Sequence, residues 1–330
     1  MIPRCKILMN RIWYIMLFLL FVILYFLIYG SYGFNDADDG YVLALSWRVV
    51  NGEIPYRDFY LIRPPLSVLL HSMTLYLIPP NYQIIFERFL SYLLIALSSL
   101  FCSFAIDRAF DLKSLHLNKY LLATVGFVFS VHNFSPMPWY TVDGIFFASS
   151  GILILIRHTS KVSIAIGSLF LFASALCKQP FYLMPVAGIF LVFKMTRQWS
   201  KTLVYTISLS LYIILFLTVL AKFDALSDFL EMTSGSTKIR DLISAGFLSY
   251  VRVDSIYLIL PLFFWLISKK FGKHFIYEKS QNLVPYFLIS ILLLYPLLRF
   301  IISFYIRNPE YNPEYSDFFR DESARILFLL

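Results

Sequence analysis

The sequence predicts an all-α polytopic membrane protein: a bundle of about nine transmembrane helices, with short interfacial helices in the first outer loop. Three observations predict it. The 330 residues are 59% hydrophobic and 15% charged, with a mean hydropathy of +0.72, whereas soluble domains carry about a quarter charged residues. Apolar runs recur along the chain, split by short polar segments. Basic residues alternate with those runs, so the net charge of +8 builds no basic domain and no nucleic-acid partner is expected. The 34 Phe and 23 Tyr suit helices that meet lipid and the membrane interface. Cys5, Cys102 and Cys177 lack metal or redox spacing and read as packing residues.

Taken in order, the spans fall at about 12–30, 82–106, 118–132, 143–157, 162–177, 180–194, 202–221, 255–268 and 283–304. The first follows Arg4, Lys6 and Arg11 and has no small-x-small cleavage site after it, so it reads as an uncleaved anchor with a cytoplasmic N-terminus. Several spans are shorter than the ~20 residues that cross a ~30 Å hydrocarbon layer. The charges agree with this topology. Inner segments hold Arg4, Lys6, Arg11, Arg108, Lys113, Lys119, Arg157, Lys161, Lys194, Arg197, Lys201, Lys269, Lys270, Lys273 and Lys279, more than half of the 28 basic residues. Of the 20 acids, all but Asp107, Asp111 and Glu278 fall outside. That is the positive-inside pattern. It predicts an inner-membrane protein whose long loops, 31–81 and 222–254, face the periplasmic or external side.

Loop 31–81 is too apolar to be a tether. Tyr41–Asn51 reads as a helix N-capped by Asp38 or Asp39 and ended by Gly52. Pro64-Pro65 starts a second helix, about 65–78, and Pro79-Pro80 ends it. Residues 162–194 form a tight hairpin whose tip, Cys177-Lys178-Gln179-Pro180, lies on the same side as Asp38. The mixed-charge Ser/Thr/Gly loop 222–254 reads as partly mobile. The transmembrane domain covers 1–304. The polar tail 305–330 ends in Ile326–Leu330, which reads as the start of a further span.

Two features point to charged chemistry at a lipid surface. Asp36, Asp38 and Asp39 stand together just after the anchor. A helix N-terminus favours ionised carboxylates, which can take a proton from a hydroxyl or hold a metal; the alternative is that they cap a helix and face solvent. Arg63 immediately precedes a helix N-terminus, a setting suited to phosphate through free N–H groups, the dipole and the guanidinium fork. Arg57 and Lys178 can join it. The alternative there is headgroup anchoring by snorkelled cations. The sequence has no glycine-rich phosphate loop, zinc motif or nucleophile elbow.

The blocks Asp38-Asp39-Gly40-Tyr41, Trp47-Arg48, Asn51-Gly52, Pro55-Tyr56-Arg57-Asp58-Phe59, Arg63-Pro64-Pro65-Leu66 and Glu87-Arg88-Phe89-Leu90-Ser91, in this order and spacing, resemble the GT-C superfamily of integral-membrane glycosyltransferases. The nearest branch holds protein O-mannosyltransferases, aminoarabinose–lipid A transferases and rhizobial core transferases. The resemblance covers about residues 30–200. It implies a GT-C-like bundle and a polyprenyl-phosphate sugar donor. Asp38 would be the catalytic carboxylate, Asp39 the second acid, and Arg63 the cation at the donor phosphate, where the family more often has lysine or histidine. Asp143 matches a second-loop acid, and Lys178-Gln179-Pro180 a Lys-x-Pro hairpin tip. Asp38 would then deprotonate an acceptor hydroxyl of a cell-envelope glycan, lipid or protein, and attack would invert the anomeric centre. Arg63, Lys178 and Arg57 would hold the leaving phosphate. Asp36, Asp39 and Asp143 could meet the acceptor or a divalent metal, and the cofactor stays open.

Three other readings remain: a flippase or other transporter of lipid-linked sugars, a polymerase using a late outer loop, and a non-catalytic subunit. The near absence of charge within the spans counts against a transporter.

Overall fold

A computed structural model describes residues 2–31, 40–110, 112, 117–131 and 137–234, and in that part the regular structure is all helix, with no strand. Helix α1 (Ile2–Tyr29) is followed by α2 (Tyr41–Val50), α3 (Leu66–Leu77), α4 (Gln83–Phe110), α5 (Lys119–Val131), α6 (Tyr140–Arg157), α7 (Lys161–Ala175), α8 (Leu183–Thr196), α9 (Trp199–Lys222) and α10 (Leu226–Ser234). Single 3-10 turns, Pro80–Tyr82 and Gln179–Tyr182, precede α4 and α8. The spans expected at 255–268 and 283–304, and the tail, lie outside the described residues.

Four stretches are long and apolar enough to cross a membrane: Ile12–Tyr29, Pro80–Ala109, Tyr140–Arg157 and Trp199–Lys222. The other three expected spans in the described part form helices of 13, 15 and 14 residues. That is short of the ~20 needed for a perpendicular crossing. Polar turns cut them: Ser160 begins α7 by accepting from Ser163 N–H, and Arg197 ends α8 in the left-handed conformation at φ 53°.

The first outer loop departs from expectation at one helix start. Helix α2 is preceded by Gly40, with no side-chain cap, and Asp36, Asp38 and Asp39 lie outside the described residues. Its end is as expected, with Gly52 at φ +90°, a conformation glycine adopts without Cβ strain. Helix α3 begins at Leu66 with Pro65 just before it. Within the expected loop 222–254, residues Leu226–Ser234 form α10, which packs Phe229 into a core, and the remainder of that loop from 235 lies outside the described residues.

Three cores hold the bundle. In one, Phe18, Val22, Tyr92 and Phe127 join α1 to α4 and α5. A second joins α6, α7, α8 and α9 through Leu155, Leu171, Val192 and Tyr205. Here α6 and α7 approach at glycine: a Cβ on Gly151 would lie 2.8 Å from the Leu171 side chain and 3.1 Å from Gly167 O. Small residues permit such close helix packing where lipid offers no hydrophobic drive. The third core gathers Val42, Leu45, Tyr56, Phe59, Leu61, Val68, Tyr140, Leu220, Ala225 and Phe229. These come from segments the sequence places on one side of the membrane, and they meet at one end of the bundle.

Candidate functional site

That shared end is where the candidate site forms. Its floor is the turn between α2 and α3. Tyr56 takes the left-handed conformation at φ 74°, costly for a bulky residue. The rest of the turn holds it there. Tyr56 N–H donates to Phe59 O (3.1 Å), Asp58 N–H to Ile54 O (2.9 Å) and Ile54 N–H to Asp58 Oδ2 (2.7 Å). Its ring, 1% exposed, meets Phe229 edge-on at 5.1 Å, and its hydroxyl donates to Arg63 O (2.8 Å). Burial raises the phenol pKa well above its usual value, with smaller contributions from Tyr182 and Tyr140, so it stays a donor. Tyr56 therefore fixes the backbone that carries Arg63.

The Arg63 guanidinium lies over the rings of Tyr140 (4.8 Å) and Trp139 (5.4 Å), at the start of α6. Such contacts contribute about 0.5–2 kcal/mol. Its Nη1 is buried and has no hydrogen-bond partner among the described residues. The hairpin tip closes against the same place. Leu66 N–H donates to Leu176 O (2.9 Å), Gln179 Nε2 to Ile62 O, and Lys178 Nζ to Thr141 Oγ1 (2.8 Å). The Leu66 bond corrects one premise, since an amide expected to be free for phosphate at the start of α3 is already engaged. Helix α6 accepts the tip because its fifth residue is Gly144, against whose Cα the Phe181 ring packs with no room for a Cβ.

Beneath lies a buried polar chain that sequence reasoning missed. His71 of α3 sits between Glu87 of α4 and Asp143 of α6. Nδ1 is 2.7 Å from Glu87 Oε2 and Nε2 is 3.2 Å from Asp143 Oδ2. All three side chains are at most 1% exposed. Thr74 Oγ1 contacts both His71 O (2.8 Å) and Glu87 Oε1. His71 lies on α3, outside the four spanning helices. Burial favours its neutral form, but Asp143, by charge and hydrogen bond, and then Glu87 outweigh that and raise its pKa to about 10. Asp143 Oδ1 and the Tyr140 hydroxyl are buried without partners among the described residues.

Of the residues singled out from the sequence, Arg63, Lys178 and Asp143 thus come together at the α6 N-terminus. Arg57 does not join them. It is half-exposed, and its fork grips Asp58 at 2.9 Å through both nitrogens. Arg57, first by this hydrogen bond, with the Ile54 amide, lowers the Asp58 pKa to about 2. Among the described residues no group of three His, Cys, Asp or Glu can hold a metal ion; each carboxylate faces a different nitrogen of His71, so the three share no point. The signal for His71 and Glu87 was present, since ionisable side chains in apolar helices mark functional positions. No protein-family model matches the chain, and neither does any curated protein or solved structure.

Proposed function

We propose that the chain is an integral-membrane glycosyltransferase. It moves a sugar from a polyprenyl-phosphate donor to a hydroxyl of a cell-envelope glycan, lipid or protein. The reading includes a GT-C-like bundle of about nine spans in the inner membrane, N-terminus inside and site outside. The order of blocks from Asp38 to Ser91 supports it. The single observation that carries it is the meeting of Arg63, Lys178 and Asp143 at one helix end, in a setting of aromatic rings. Two cations and a carboxylate at the end of a membrane bundle suit a substrate with a phosphate at one end and hydroxyls at the other.

In this mechanism Asp38 removes the acceptor proton as the oxygen attacks the anomeric carbon. The C–O bond to phosphate breaks, and the polyprenyl phosphate leaves with its charge held by Arg63 and Lys178. One displacement inverts the centre. A positioned base contributes about 10²–10⁴ in rate. The test is sugar transfer in membranes from a radiolabelled polyprenyl-phosphate sugar pool, with Asp38→Asn at matched expression. Loss of transfer with lipid binding retained supports the reading. Equal transfer by both proteins removes Asp38 from catalysis.

One observation favours a second reading, a proton-coupled carrier of lipid-linked sugars: the buried Glu87–His71–Asp143 chain has the composition of a proton relay. Failure of the wild type to transfer, with pH-driven movement of the labelled lipid across vesicles, would select it.

A further inference from the structure

Residues 51–65 belong to no helix, so Arg63 depends on contacts from elsewhere for its place. Its carbonyl is held by the Tyr56 hydroxyl (2.8 Å), and Tyr56 is itself strained at φ 74°. A bulky residue keeps such a conformation only where its surroundings over-determine it. On the ring side those surroundings include α10, whose Phe229 meets the Tyr56 ring edge-on at 5.1 Å, a geometry aromatic pairs favour. Helix α10 is in turn fastened to α9. Asp224 turns the chain after α9 at φ 54°, Ala225 N–H donates to Leu220 O (2.9 Å) and Phe229 N–H to Ala225 O (3.0 Å). Phe216 of α9 packs edge-on against Phe229 at 5.4 Å. A line of contacts thus runs from a helix long enough to span, α9, through Phe216, Phe229 and Tyr56 to the Arg63 carbonyl. The same α10 reaches the hairpin tip, where the phenol of Tyr182, in the turn that Lys178 precedes, hydrogen-bonds the Thr233 side chain.

We infer that Phe229 is a positioning residue for Arg63: it latches Tyr56 in its strained conformation and so ties the cation to α9, while Thr233 does the same for the Lys178 turn through Tyr182. One short helix of the third outer loop then sets both cations of the candidate site. That these cations meet a phosphate rests on the glycosyltransferase reading; their placement by α10 does not.

The test is binding of farnesyl phosphate and of farnesol by the full chain in detergent. The two probes share a chain and differ in the phosphate, so the preference for the first over the second isolates the contribution of the cations. Phe229→Leu keeps the core apolar but offers Tyr56 no ring edge. It should lower the preference about tenfold or more, the worth of one charge-assisted hydrogen bond, and leave farnesol binding unchanged. Beside Arg63→Met it should lower the preference no further, because the two act through one contact. Thr233→Val should lower it about threefold, and Thr233→Ser, which keeps the hydroxyl, should restore it. Gly151→Ala, which strains the α6–α7 approach instead, should leave the preference at the wild-type value whatever its Tm. A preference that falls as far in Gly151→Ala as in Phe229→Leu overturns the inference, as does a Phe229→Leu loss undiminished beside Arg63→Met. Equal values for Thr233→Val and Thr233→Ser overturn the Lys178 arm. If Phe229→Leu does not fold, Phe216→Leu, one ring further back on the same line, takes its place.

Trp139 supplies a readout that needs no ligand. Its ring lies 5.4 Å from the Arg63 guanidinium, and its emission is isolated by subtracting the spectrum of the matching Trp139→Phe protein. Phe229→Leu should move that emission toward its value in Arg63→Met, and Gly151→Ala should leave it unmoved. An unmoved Trp139 in Phe229→Leu overturns the inference. A wild type that binds both probes equally, with the Trp139 pattern as expected, sinks the transferase reading and leaves the positioning role standing.

Discussion

Tyr56 is the residue on which the position of Arg63 depends most directly. Its hydroxyl bonds a backbone carbonyl seven residues on, inside a turn that forces it to φ 74°. Tyr56→Phe should therefore cost about 1 kcal/mol and leave the Arg63 carbonyl unpaired, read as a lower midpoint of chemical unfolding with an unchanged slope. Asp58 supplies a pH marker for the same turn. Its pKa is depressed, so its contribution is present above the ordinary carboxylate value of 3.8 and is lost as pH falls through about 2. The Ile54 amide, which donates to Asp58 Oδ2, should lose exchange protection over that interval, relative to neighbouring amides. Arg63 and Asp143 were legible in the sequence because a charge beside a proline pair or at the mouth of an apolar run stands out. His71 and Glu87 carried a signal as ionisable residues in apolar helices, but their pairing did not show, because the two lie 16 residues apart on different helices that tertiary packing brings into contact.

Among the elements, the most exposed to test are the close approaches at glycine. Gly144→Ala places a methyl against the buried Phe181 ring, and Gly151→Ala places one 2.8 Å from Leu171 and 3.1 Å from a backbone oxygen. Overpacking of this kind typically costs about 1–3 kcal/mol. Gly151→Ala should lower the Tm with little effect on ligand binding. Gly144→Ala should lower both, because Phe181 belongs to the turn that follows Lys178. Helix existence and most boundaries followed from apolar runs, Pro pairs and Gly52. The runs carried the shortness of three of these helices as well. Residues 118–132 and 162–194 look like spans by composition but read as short for a crossing, and their helices are 13, 15 and 14 residues long; the turns that end them, with local hydrogen bonds, were not legible.

At the scale of the whole molecule, the alternation of basic and acidic segments predicts orientation. Under the proposed topology, a single cysteine introduced at exposed Asn51 in a cysteine-free background should react with an impermeant thiol reagent in intact cells. One at exposed Thr159 should react only after permeabilisation. The opposite pattern inverts the bundle. The side assigned to each loop was readable from charge alone. That α2, the turn after it, the start of α6 and residues 220–229 pack into one core around Tyr56, Tyr140 and Phe229 was not, since residues up to 187 positions apart in sequence meet there.

Helix α1 raises a matter of timing. It is held by rings: Phe26 against Phe89 at 5.2 Å and Tyr92 at 5.5 Å, and Tyr25 against Phe127 at 5.5 Å. Its own spanning window is otherwise only 11% buried. Those partner rings emerge from the ribosome 60 or more residues after the end of α1. At ~5–20 residues per second, the first helix waits several seconds in the bilayer with lipid chains where its partners will later sit. Under the proposed membrane topology, folding therefore includes a solvent-exchange step, lipid for aromatic ring, before the site, whose Lys178 follows α1 by about 150 residues, can be completed.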